Sequence, residues 1–203
     1  MTITYPRDFP TDTDFESVQF ELQRFDLTSQ SVRGTAQVME AAPPLWMAEY
    51  QVVPMYADDF QRFQAWLNSL RGGQKMFWGY DPAREYPAYY GSSAPANTCT
   101  LATTVSSGFS IALSGLPSGY RFTAGDLVSV HTATSRSLHE VQEDVTATTS
   151  ATITVEPRVS ITLTSGAQVD LVRAAAKMRL VEKGNLRRGA NPSGLSFSAM
   201  QVL

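Results

Sequence analysis

The chain has 203 residues, 43% hydrophobic and 17% charged, with a formal net charge of −3. That length accommodates one large domain or two small ones with their own cores. The slight acidity excludes a dedicated nucleic-acid binder, which would carry a clear basic excess. A lone cysteine, Cys99, excludes an intramolecular disulfide and a cysteine-based metal cluster. The opening MTITYPRDFPTDTDF lacks the basic region and apolar core of a signal peptide. No run of about eighteen apolar residues occurs, so membrane insertion is not expected.

Residues 1–16, with Pro6 and Pro10, read as an extended N-terminal arm, ordered against a neighbouring subunit or adding a strand to it. The first strand signal is SVQFELQ, where Val18, Phe20 and Leu22 alternate with polar residues. A second strand is predicted over Gly34 to Glu40, ended by the Pro43-Pro44 pair. LWMAEYQVV forms a third, with Trp46, Ala48, Tyr50 and Val52 on one face. Next, Phe60, Phe63, Leu67 and Leu70 recur at helical spacing. Asp58 or Asp59 is the expected N-cap, and Gly72-Gly73 the left-handed stop. Lys75 to Tyr80 reads as another strand, whose Phe77 and Trp78 face opposite ways so that one packs on the helix. The expected host core is Phe20, Leu22, Trp46, Tyr50, Phe60, Phe63, Leu67 and Trp78.

From Gly91 to about Val172 the composition turns to Ser, Thr, Gly and Val. Strands are predicted over 98–104, 109–113, 127–132, 137–145, 151–156 and 168–172, a spacing that suits a small barrel or sandwich. AAAKMRLVEKG then leads back to the host, and GLSFSAMQVL is the last strand. The fold expected is mainly β: an antiparallel β-sandwich or sheet host with one packed α-helix (residues 17–90 plus 173–203), interrupted by an inserted β-barrel-like module (residues 91–172).

Little here points to catalysis. The two histidines, His131 and His139, are too few for most metal sites, and Cys99 has no nucleophile signature around it. The carboxylate pairs Asp58/Asp59 and Glu140/Glu143 are coupled to no base, metal or pocket. No catalytic residue, metal or cofactor is therefore assigned, and no enzymatic activity is expected. Trp78, Tyr80, Tyr86, Tyr89 and Tyr90 are the aromatic candidates, for a subunit interface or for stacking on glycan.

PLWMAEYQV, the helix and aromatic segment DDFQRFQAWLNSLRGGQKMFWGYDPAREYP, the insertion and the ending SGLSFSAMQVL together resemble tail-tip proteins of long-tailed bacteriophages, prophages and gene transfer agents, of the distal-tail or hub-associated class. The resemblance spans most of the chain and carries no catalytic motif. It implies a structural virion protein, assembled in the host cytoplasm, that forms a homo-oligomeric ring, a hexamer by analogy, between the tail tube and the hub or adsorption apparatus. It also implies an outward-projecting inserted barrel, often of oligonucleotide/oligosaccharide-binding type. The alternative reading is a carbohydrate-binding module for host-surface glycan.

Overall fold

The computed structural model describes residues 3–10, 13–30, 34, 36–95, 98–132, 134–184 and 193–203. Thr35 of the expected second strand and residues 1, 2, 11 and 12 of the arm lie outside them. β1 (Phe15–Gln30) and β2 (Ala36–Met55) make one long antiparallel hairpin. In its inner half Phe20, Trp46, Ala48, Tyr50 and Val52 are buried on one side, as alternation requires, while Glu49, Gln51 and Val53 face outward. Contrary to expectation, Pro43 and Pro44 do not end a strand. They sit where the register slips, between the Gln23–Leu45 and Phe25–Ala42 pairs, so their missing N–H groups fall at a bulge.

Helix α1 (Ala57–Ser69) follows, burying Phe60, Phe63, Trp66 and Leu67, with Leu70 just beyond its end. Each such side chain contributes roughly 1.5–3 kcal/mol by leaving water. The N-cap differs from the expectation. Tyr56 occupies it without a side-chain hydrogen bond, and Asp58 and Asp59 lie in the first turn. There they complement the positive end of the helix dipole. The stop is left-handed as predicted: Gly72 has φ 64° and Gly73 φ 92°. A Cβ on Gly73 would lie 2.4 Å from the Leu180 carbonyl oxygen, whereas one on Gly72 meets nothing within 4 Å. Gly72→Ala is therefore expected to cost roughly 1–2 kcal/mol through backbone strain. Gly73→Ala should cost about 1–3 kcal/mol more through overlap. Urea melts of the two variants check this, and equal midpoints would contradict the close approach.

β3 (Met76–Tyr80) leads out of the host into a run of short strands: β4 (Thr100–Leu101), β5 (Gly108–Ser114), β6 (Arg121–Phe122), β7 (Leu127–His131), β8 (Arg136–Val141), β9 (Val145–Thr146), β10 (Ser150–Val159) and β11 (Val169–Asp170). Six of them form a sheet in the order β11-β7-β8-β10-β5-β4. Its ends nearly meet: Leu101 N–H donates to Ala167 O at 2.9 Å and Val169 N–H to Cys99 O at 3.0 Å. Ile111, Leu113, Val130, Val141, Ile153 and Val155 are among the residues that fill this barrel-like core. The predicted 137–145 strand is interrupted after Val141, its end becoming β9, which pairs with β6 in a separate ribbon. An oligonucleotide/oligosaccharide-binding barrel has five strands; this sheet has six.

β12 (Ala175–Lys183) and β13 (Ser193–Gln201) complete the host sheet, whose order is β1-β2-β13-β12-β3 with every pairing antiparallel. The described part of the arm packs on its own chain. Arg7 N–H donates to Met76 O at 3.1 Å and Trp78 N–H to Arg7 O at 2.8 Å, so the arm caps the β3 edge. Phe9 sits among Tyr50, Trp66 and Phe77, with ring centroids 5.3–5.4 Å apart. Burying Phe9 offsets the entropy of ordering the arm.

The barrel is docked on the host. Leu127 and Leu138 belong to the host core cluster. Trp46 Nε1 donates to Leu138 O at 3.0 Å and Ser129 Oγ to Ala175 O at 2.9 Å. Arg84 joins Asp81 to Glu140, both at 2.7 Å. The outgoing and returning chains are tied together where they cross: Arg173 N–H donates to Glu85 O at 2.7 Å and its Nε to the Glu85 carboxylate at 2.6 Å.

Candidate functional site

Strand alternation divides the aromatics of β3. Phe77 and Gly79 face the core, and Phe77 meets Trp66 edge-on at 5.4 Å. Trp78, expected in the core, is instead half-buried on the opposite face, because only one of two consecutive strand residues can face the helix. Tyr80 shares that face. Both line a cleft of about 960 Å³ walled by the arm, β3 and the barrel. The Arg136 guanidinium lies 4.5 Å from the centre of the Trp78 ring, and that of Arg173 5.8 Å from the Tyr80 ring. Asp170, at the barrel wall, is buried; it accepts from Gln168 Nε2 at 3.1 Å, lies 2.5 Å from His131 Nε2 and forms an ion pair with Arg136 at 3.4 Å. Asp8, Thr13, Asp14 and Glu85 add to the polar lining.

The other three aromatic candidates lie elsewhere. Tyr86 follows Glu85 on the outgoing chain and is partly exposed. Tyr90 stacks on Tyr120 at 4.9 Å, and its hydroxyl accepts the Arg121 N–H at 3.0 Å. Tyr89 is 57% exposed, with the Arg121 guanidinium 5.0 Å from its ring centre. Sequence proximity therefore groups five residues that the fold distributes over a cleft, a linker and the barrel surface.

No family model matches this chain, and no curated protein matches it.

The groups with nucleophilic or acid–base chemistry are engaged structurally. Cys99 is buried in the barrel core, and that burial pushes its thiol up to about 11. His139 is also buried, with Nδ1 at 2.7 Å from Pro157 O and Nε2 at 2.8 Å from Ser137 Oγ. Nδ1–H donates to the carbonyl, leaving Nε2 to accept from the serine. Burial brings its pKa down to about 4, opposed by the Pro157 carbonyl. Neither histidine's described partners include Cys99. Asp58 and Asp59 are exposed, Glu140 pairs with Arg84, and Glu143 accepts from Thr154 Oγ1 at 2.5 Å. Among the described residues no three His, Cys, Asp or Glu side chains converge to hold a metal, and no helix is long and apolar enough to cross a membrane.

The second surface feature is the outer half of the β1–β2 hairpin. β1 is an edge of the host sheet. Beyond the bulge Leu27 pairs with Met39 and Thr28 with Val38, so apolar side chains emerge on both faces of the ribbon. Leu27, Met39 and Val38 are 59%, 63% and 65% exposed. The sequence expectation of separate short strands missed this element. The cleft residues Arg136, Arg173, Asp170 and Asp14 were missed as well. They come from three separate chain segments, with Asp170 and Arg173 only three residues apart, and no local motif marks them.

Proposed function

We propose that this protein is a structural component of a phage-type tail tip, a virion protein that assembles into a homo-oligomeric ring between the tail tube and the distal hub. The observation that carries this reading is the long hairpin. Its outer half exposes Leu27, Val38 and Met39 on an edge-strand ribbon. A monomer gains nothing from that surface, because apolar edges invite pairing with another chain. The two edges of the host sheet are also unequal. The β3 edge is capped by the arm at Arg7, whereas β1 forms the opposite edge. Unequal surfaces favour a head-to-tail contact, which closes into a ring when the rotation per copy divides a full turn. The resemblance of residues 44–52, 58–87, 122–159 and 193–203 to tail-tip proteins supports the same reading, with six copies by analogy. The low charged fraction suits burial between subunits.

Native mass spectrometry over a concentration series, with negative-stain imaging, tests the proposal. A closed ring of fixed stoichiometry is expected, alone or on added tail tubes. The double variant Leu27→Ser/Met39→Ser should keep its circular dichroism spectrum and thermal midpoint while losing assembly. Wild-type protein that stays monomeric in both settings would sink the reading, as would a variant that assembles normally.

A further inference from the structure

We propose that the cleft between the arm, β3 and the barrel binds a neutral oligosaccharide. Its volume of about 960 Å³ matches a short run of sugar rings and lies within the ordinary range of ligand pockets. Trp78 and Tyr80 stand on the same face of β3 and are each partly exposed, with Phe9 edge-on to Tyr80 at 5.7 Å between ring centres. Such rings stack on the C–H faces of a sugar while their polar tips stay wet. A guanidinium lies over each ring, Arg136 over Trp78 and Arg173 over Tyr80. Stacking restricts the guanidinium plane, and a guanidinium has five N–H donors. Each of these two has one carboxylate partner among the described residues, Asp170 for Arg136 and Glu85 for Arg173. The remaining donors can bridge neighbouring hydroxyls, with the Asp14 carboxylate as an acceptor on the arm side.

Charge decides the ligand class. Asp8, Asp14, Glu85 and Asp170 line the cleft against two arginines, so an anionic sugar or a phosphate meets net repulsion. A neutral polyol uses both donors and acceptors without that penalty. The residues all belong to one chain, so the site is complete without a second copy.

Saturation-transfer NMR on the full chain tests the site with tetrasaccharides of glucose and of N-acetylglucosamine, and with the galacturonic acid tetramer as the anionic counterpart. At least one neutral probe is expected to bind and to be preferred over the acid. Trp78→Ala and Arg173→Ala should each weaken that binding about tenfold or more. Tyr89→Ala, at the separate aromatic surface, should leave it unchanged. Arg173 has a side chain 63% exposed but also holds Glu85 at 2.6 Å, so an unchanged circular dichroism spectrum and urea midpoint of Arg173→Ala are required to read its loss of binding as loss of the site. The proposal fails if neither neutral probe receives saturation, if the acid binds better, if binding survives both cleft variants, or if Tyr89→Ala abolishes it.

Discussion

Leu67→Asp is expected to unfold the host half of the protein at 25 °C. Leu67 is 1% exposed on the buried face of α1. Losing its side chain alone costs roughly 2–5 kcal/mol. The introduced carboxylate must then either ionise without a partner or bind a proton, adding several kcal/mol. The sum is comparable to the whole stability of an ordinary domain, about 5–15 kcal/mol. The chain carries a convenient reporter. Its three tryptophans, Trp46, Trp66 and Trp78, all lie in the host half, so indole fluorescence follows that half and, through Trp46 and Trp78, its seam with the barrel. The variant's emission should resemble that of wild-type protein in denaturant, whereas Gln61→Asp on the exposed face of the same helix should match the native protein. A native spectrum and melting point for Leu67→Asp would overturn the packing of α1.

Acid is expected to destabilise the barrel through His139. Its folded-state pKa of about 4 lies below the ordinary 6.5. The unfolded chain therefore takes up the proton first, and the histidine opposes folding once the pH falls below 6.5. Its neutral form is fully accommodated above that value. Stability falls by at most about 1.4 kcal/mol per pH unit through the window and levels off near pH 4, about 3 kcal/mol in total at most. His139→Gln, which can still bridge Pro157 O and Ser137 Oγ, should flatten the profile between pH 6.5 and 5, where carboxylate protonation contributes little. Urea midpoints measured across that interval check the sign. A wild-type midpoint that rises on acidification, or an equal slope in the variant, would contradict the buried neutral imidazole.

What could be read from the sequence was whatever repeats locally. The period of Phe60, Phe63, Leu67 and Leu70 placed the helix, and alternation in Trp46–Val52 placed the core face of β2, because both patterns are set by backbone geometry within a few residues. The mainly antiparallel β architecture with one helix and a barrel-like sheet followed from such segments. Local rules misled where a partner strand overrode them. Pro43-Pro44 looks like a break only until the single residue opposite, Arg24, shows that the pair forms a bulge, and Trp78 looks like core only until Phe77 takes the helix side. The cleft had no sequence signature. Asp14, Glu85, Arg136 and Asp170 are far apart in the chain, and only the packing of the arm and the barrel against the host sheet brings them together.

The crossing at Glu85 and Arg173 has a consequence for how the two halves can change independently. Tyr80 and Ala175 are register partners on adjacent strands, so from the host sheet the whole barrel occupies the position of a hairpin turn. Once that pair has formed, each doubling of a flexible connection costs only roughly 0.6 kcal/mol in closure entropy. The host's strand order and register set almost no limit on the size of what hangs there. Any replacement must still meet a local condition: it has to cover Trp46 and accept its indole N–H, as Leu138 does now.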